Sequence, residues 1–399
     1  MNAASRSKQT LQVALLCIVA LGLLGAVFYL PTWWVSLTAP NYPPESFPDG
    51  VKIHFHMNGV FNGCEKLTKS EITEEIALDC VHEMDTINHY VGMYPIAAGG
   101  PVERGLSQFL IVFLGVMLVG FACIRPQIRM ALMGVGFTAI AIWMFLTIYG
   151  EGGVGLQNKG YIESLVTSLD QEASGDTGDE PQIVIGGIVG AVKKSLEDSG
   201  VTVELPSERA AREKRALALT ESEKSQLIEQ LRLTYEKDRE AGRVADPWNG
   251  SNFQVMTWHY GKSLGRYFNN QEEIVPMVNT LGLAIHVVFV GLLGAMLLLI
   301  FGARKNGGVL YWLLVLVPLA LPLFFVIDYS AWLWWYGHTL NDMGAFSVKP
   351  FMPTVFGQGK VAQFATHSYP ALGFGVMVLT SAVLAVGALI RRKQFRGVD

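Results

Sequence analysis

The chain has 399 residues, 51% of them hydrophobic, with a formal charge of −4 and a mean hydropathy of +0.33. That balance excludes a disordered chain and identifies an integral membrane protein with substantial extramembrane mass. No basic patch with interleaved aromatic residues occurs, so no nucleic acid is expected as a partner.

Six apolar stretches follow in chain order, at residues 11–30, 109–124, 130–149, 277–301, 309–327 and 372–390. Most approach the ~20 residues a bilayer-spanning helix needs, with 109–124 on the short side. The basic residues between them alternate. Arg6 and Lys8 precede the first stretch, Arg125 and Arg129 separate the second and third, and Arg304 and Lys305 separate the fourth and fifth. Arg391, Arg392, Lys393 and Arg396 follow the sixth. Short basic loops stay cytoplasmic, so both termini are expected inside and three long loops outside. The fold class expected is an all-α membrane protein with six transmembrane helices and three periplasmic loops. The first loop is expected to be mixed α/β and the second an inserted, mostly helical domain. The divisions are an anchor at 1–35, loop one at 36–107, a transmembrane hairpin at 108–149 and the inserted domain at 150–275. A second hairpin at 276–327, an aromatic loop at 328–370 and a last span with a basic tail at 371–399 complete them.

Arg6 and Lys8 could head a signal peptide, but the run Tyr29-Leu-Pro-Thr-Trp-Trp34 lacks a small-residue cleavage site, so a retained anchor is expected. Trp33 and Trp34 would then sit in the interfacial aromatic belt. Within the first loop, Val51-Lys-Ile-His-Phe-His-Met57 alternates like a strand, and Asn58-Gly and Asn62-Gly mark turns. Thr68 with Glu71 forms a capping box for a helix carrying Ile72, Ile76, Cys80, Met84, Ile87 and Val91 on one face. Cys64 and Cys80 share this loop, and a disulfide is expected in an oxidising periplasm, with thiolate ligation of a metal as the alternative. Cys17 and Cys123 lie within or at the end of apolar stretches and read as packing residues.

At helical spacing His82, His89 and Met93 point along the side left free by that apolar face, and the preceding strand adds His54, His56 and Met57. Imidazole with thioether suits copper, methionine favouring Cu(I), whereas calcium or magnesium would need carboxylates. The alternative is that these histidines are simply solvated or border a core.

In the second loop, 171–180 is acidic and Gly/Ser-containing. Thr220 with Glu223 caps a charged helix with a Leu227, Leu231 and Tyr235 stripe, stopped by Gly242. The aromatic segment 248–270, holding His259, leads back to the membrane. His286 falls inside the fourth stretch, where it is either functional or bonded across a helix interface. The third loop opens with Asp328 at the water interface and the rings Tyr329, Trp332, Trp334, Trp335 and Tyr336, read as interfacial anchors. His338 and His367, with Asp342, Met343 and Met352 nearby, could complete a metal site. Phosphate-binding loop and haem-attachment motifs do not occur in the sequence, and no constellation in it is read as catalytic.

Ala39-Pro-Asn-Tyr-Pro-Pro-Glu45 with Ile87-Asn-His-Tyr-Val-Gly-Met93, and Trp335-Tyr-Gly-His-Thr-Leu340 with Val348-Lys-Pro-Phe-Met-Pro353, resemble two signature blocks of a poorly described family of bacterial inner-membrane proteins. Its members are often encoded beside the copper enzyme nitrous oxide reductase and its maturation factors. The resemblance covers the first and third loops with their flanking spans, and not 150–275. It implies a place near copper metabolism and supplies no reaction. The expectation is therefore an inner-membrane accessory protein that binds or passes copper on the periplasmic side. Its partners would be a cuproenzyme or that enzyme's maturation factors, and its ligands His54, His56, Met57, His82, His89, Met93 and His338. The alternatives are a non-catalytic subunit or scaffold of a redox complex, or a quinol-interacting protein using His286 and the aromatic third loop.

Overall fold

The computed structural model describes residues 3–64, 79–169, 206–346, 348–361 and 363–396. Its helices are α1 (Ala3–Tyr29), α2 (Cys80–Tyr90), α3 (Pro101–Ala122), α4 (Pro126–Tyr149), α5 (Lys159–Leu169) and α6 (Pro206–Glu240). They continue as α7 (Asn252–Gly265), α8 (Gln271–Gly302), α9 (Val309–Leu319), α10 (Leu321–His338) and α11 (Leu372–Arg396). Strands are β1 (Trp33–Thr38), β2 (Val51–His56), β3 (Gly59–Asn62), β4 (Gly357–Val361) and β5 (Phe364–Pro370).

Five helices, α1, α3, α4, α8 and α11, are each long and apolar enough to cross a membrane, and α9 with α10 adds a sixth if the bent pair is one span. This is a multi-pass membrane protein. The 63° bend has a local cause. Pro318 lies within α9 and Pro322 at the start of α10, and neither has an N–H to give the preceding turn. A carbonyl left open in an apolar medium is costly. Ser381 of α11 also bonds at the break, its hydroxyl donating to the Leu319 carbonyl at 2.6 Å.

Helix α3 begins at Pro101, two turns before the apolar stretch that marks it in the sequence. Those turns carry Arg104, Ser107 and Gln108, all buried. They are polar because they pack on polar backbone: Gln108 Nε2 donates to the Leu156 carbonyl at 3.2 Å, and Gln157 Nε2 returns a bond to the Gly105 carbonyl at 2.8 Å. Helix α10 likewise runs through the aromatic segment expected as loop, ending only at His338.

The strand structure goes beyond the mixed α/β first loop expected: a five-stranded antiparallel sheet has the order β3-β2-β1-β5-β4. It joins the first and third loops, with β1 pairing β2 on one side and β5 on the other. Trp33, Val35 and Leu37 alternate onto one buried face of β1. Trp33 is therefore a core residue rather than an interfacial anchor, and its Nε1 donates to Ser368 Oγ at 2.8 Å. Trp34, on the other face, lies opposite His54 and Tyr369, with the Lys52 ammonium 5.0 Å from its ring centre.

The β2–β3 hairpin forms around Met57-Asn58, with His56 opposite Gly59. Cys64 and Cys80 are disulfide-bonded, their Cα atoms 6.0 Å apart, and Cys17 and Cys123 are free thiols. Asp79 caps α2 by accepting from the Val81 and His82 amides. The Thr68–Glu71 cap and the Ile72–Ile76 part of the stripe lie outside the described residues. Of the remainder, Cys80, Met84 and Ile87 are buried as expected, while Val91 lies beyond the helix end.

The chain divides into two compact units, Met1–Ser168 with Trp248–Asp399, and Leu169–Pro247. The flanks of the second loop belong to the first unit, where the Gly152 and Val154 amides donate to the Asn249 and Gly250 carbonyls at 2.8 and 2.9 Å. In the second unit α6 starts at Pro206 rather than Thr220, because 207–219 is rich in Ala, Leu, Glu, Lys and Arg, all good helix formers. Leu231 and Tyr235 are buried on its stripe, and Gly242, at φ +73, ends the turn that follows it. The acidic segment 171–180 lies outside the described residues.

At the bundle end opposite the sheet, Arg129 and Arg391 are completely buried. Arg391 donates to the Phe121 and Ala122 carbonyls at 3.1 and 2.8 Å, and Arg129 to the Cys123 carbonyl at 3.1 Å and to Asn306 Oδ1 at 2.8 Å. The two guanidinium groups thus terminate α3, where the helix dipole is negative.

Candidate functional site

The histidines singled out in the sequence meet different fates. His82 and His89 both project from α2 onto the segment after α7. The Arg266 Nη2 donates to His82 Nδ1 at 3.1 Å, with the Tyr267 hydroxyl 3.2 Å from the same nitrogen. Arginine can only donate, so Nδ1 is an acceptor and a neutral His82 carries its proton on Nε2. That is the wrong tautomer for an Nε2 metal bond. His89 stacks on Tyr267 and Phe268 at 5.3 and 4.8 Å, and its Nδ1 is buried with no hydrogen-bond partner. Met93 is only 3% exposed and follows the positive-φ Gly92, so it is off the helix and away from the face expected for it.

His54 and His56 share one face of β2 and are half-buried. Burial lowers both imidazoles, His56 to about 4, with the neighbouring histidine adding to the effect on His56 and Lys52 to that on His54. Both are therefore neutral at neutral pH, the state a metal requires. His56 also hydrogen-bonds the Tyr29 backbone, a bond that favours its proton-bearing form. His338 is exposed at the end of α10, its Nδ1 2.8 Å from the Trp334 carbonyl and its ring stacked on Trp334 at 4.5 Å. The carbonyl can only accept, so in the neutral ring Nδ1 carries the proton and Nε2 keeps its lone pair. This is the arrangement usual in metal-ligating histidines. The Phe351 amide donates to the Gly337 carbonyl at 3.0 Å, which brings the exposed Met352 segment beside His338. His367 lies on β5 opposite Ser36, two strands from β2. Among the described residues, no group of three or more His, Cys, Asp or Glu side chains is arranged to hold a metal ion.

His259 and His286 both bond within the fold. His259 is buried, its Nε2 2.8 Å from Ser168 Oγ and 3.0 Å from the Leu165 carbonyl, and burial takes its imidazole down to about 3. His286 bonds across a helix interface: its Nδ1 is 2.8 Å from the hydroxyl of Tyr149, the last residue of α4, and it stacks on Phe253.

A concave feature of the sheet end is a cavity of about 270 Å³. The β2–β3 turn closes one side with Phe55, His56, Met57 and Val60, while α10 contributes Phe325, Asp328, Tyr329, Trp332 and Tyr336. Glu103 and Arg104 enter from the first turn of α3, and Leu321 and Met377 lie next to the helix break. The walls are held rigidly. Tyr336 donates to the Pro95 carbonyl at 3.1 Å, and a Cβ at Gly99 would collide with its hydroxyl, so only glycine fits there. The turn at Ile96 is pinned by the buried Asp85, whose Oδ1 accepts from the Ile96 amide at 2.6 Å and whose carboxyl burial pushes up to about 7. Trp332 Nε1 donates to Glu103 Oε1 at 3.3 Å, while Glu103 Oε2 is buried without a partner. Arg104 is 8% exposed and its Nε donates to the Gly100 carbonyl. Glu103 and Arg104 belong to no motif that the sequence displays. The signal available was an adjacent acid and base just after Gly-Gly-Pro, directly ahead of an apolar run.

Compared with protein-family models, curated proteins and solved structures, the chain matches none.

Proposed function

We propose that this is an accessory protein of a bacterial inner membrane that binds or passes copper on the periplasmic side during assembly of a cuproenzyme. The sheet end would be periplasmic and both termini cytoplasmic, as the basic loops suggest. The observation that carries the reading is the tautomer of His338. Its Nδ1–H is committed to the Trp334 carbonyl and its Nε2 is open, beside a segment bearing the exposed Met352. His56, hydrogen-bonded to the Tyr29 backbone and followed by Met57, is the second point of contact. A thioether beside an imidazole is a donor set that fits Cu(I). The likeness of both sequence blocks to proteins encoded near nitrous oxide reductase supports the same reading.

Elemental analysis of the purified protein, dialysed after exposure to copper under reducing conditions, tests it. His338→Ala with His56→Ala should lose most of the metal, and His82→Ala with His89→Ala should keep it, because Arg266 and the Tyr267–Phe268 rings occupy those imidazoles. A parent protein that retains no copper overturns the reading in favour of a non-catalytic subunit of a redox complex. Orientation is tested separately: periplasmic reporters fused after Gly150 should be active and those after Arg304 inactive.

A further inference from the structure

Beside His56 and Met57, the cavity between α3, α10 and the β2–β3 turn carries a chemistry that copper handling does not use. Its walls are mainly apolar and aromatic, and it is open where Asp328 and the 52%-exposed Phe324 meet the surface. That opening continues onto Leu323 and Ile327, exposed at 60% and 56%, on the apolar outside of α10. A molecule dissolved in the bilayer could therefore enter sideways. The size is at the lower limit of small-molecule sites, which begin near ~300 Å³, so it suits a ring-sized head rather than a whole two-chain lipid.

The polar groups narrow the class further. Two carboxylates, Glu103 and Asp328, line the space. One oxygen of Glu103 is fixed by the Trp332 indole and the other is buried without a donor, so the protein itself leaves an acceptor unanswered. The guanidinium in the wall, Arg104, is almost wholly buried and bonded to backbone. An anionic head such as a phosphate would meet carboxylates before it met that cation. A neutral molecule with hydroxyl donors on an apolar ring meets every one of these demands.

We propose that this cavity binds a ring amphiphile of the hydroquinone class from the bilayer, with Glu103 accepting one of its hydroxyls. The proposal concerns binding alone; His56 and Met57 line the same cavity, so the titration is run on copper-free protein and the two readings fail separately. The probe is decylubiquinol, compared with its oxidised quinone, titrated by calorimetry into the full chain in nanodiscs made from quinone-free lipid. The parent should bind the reduced form at least tenfold more tightly. Glu103→Gln keeps the shape and lets Oε1 still accept from Trp332, but turns the free acceptor into an N–H donor. Preference should then move toward the quinone, whose carbonyls accept. Val60→Phe, which fills the space from β3, should abolish binding of both forms while leaving the melting temperature near that of the parent. Equal affinity for the two forms in the parent, an unchanged preference in Glu103→Gln, or full binding by Val60→Phe would each overturn the proposal. So would absence of binding with a phospholipid retained in the parent and lost from Val60→Phe.

Discussion

The two ends of the helical bundle both bury charge and do so to different ends. At the basic end Arg129 and Arg391 give their Nη groups to carbonyls and amides of their own chain, leaving only each Nε without a partner. At the sheet end Glu103 is anchored through one oxygen and leaves the other buried and unmatched beside a cavity. Burial of an ionisable group therefore does not by itself mark a site. What distinguishes the ends is whether the backbone already answers the charge.

The largest test of that contrast is at the basic end. Arg391→Leu removes two bonds to α3 carbonyls in a site without solvent, and should lower stability by about 3–4 kcal/mol. A loss below about 1 kcal/mol in a denaturation experiment in detergent would show that the carbonyls find other partners. Glu103→Gln at the sheet end should cost less than about 1 kcal/mol, because it is isosteric and its Trp332 bond can persist. If it destabilised the protein as much as Arg391→Leu, the two ends would be alike after all.

The disulfide sharpens the picture of the sheet end. It closes a 16-residue separation, and its removal should cost about 3 kcal/mol. Thiol labelling of the unfolded, unreduced protein should find only Cys17 and Cys123. The acid response tests the same end. Burial holds the His259 imidazole near 3 while the unfolded chain takes a proton near its ordinary 6.5, so its contribution is complete above 6.5 and declines as pH falls through that window. His259→Gln should narrow the gap in melting temperature between pH 7 and pH 4.5; an unaltered gap would assign acid sensitivity elsewhere. The smallest effect belongs to the helix break, where Ser381→Ala should cost about 1 kcal/mol through the lost bond to Leu319.

Much of the scaffold was legible in the residues. Apolar length marked the spans, Asn58-Gly the hairpin turn, and the shared loop of Cys64 and Cys80 their bond. The central pairing of β1 with β5 was not, because Trp33 and Trp34 beside a span serve equally well as interfacial anchors or strand residues. Only the register opposite Pro370 and Tyr369 decides between those roles. The fate of His82 was hidden for the same reason: helical spacing placed it beside His89, but Arg266, distant in the sequence, sets its tautomer. Glu103 escaped notice because hydropathy windows begin a span where the polar turns end.

The strand that follows the first span is completed by the strand that precedes the last. Trp33 and Ser368 are separated by 335 positions, and both spans beside them, α1 and α11, pack together. A ribosome adding ~5–20 residues per second leaves β1 without that neighbour for on the order of tens of seconds after it emerges. During that interval one edge of the growing sheet is open to any other extended chain. Early assembly would thus rest on the β1–β2–β3 meander alone, and arrest of synthesis before residue 364 would yield a membrane-inserted chain with an adhesive margin. The C-terminal span is the clasp that closes it.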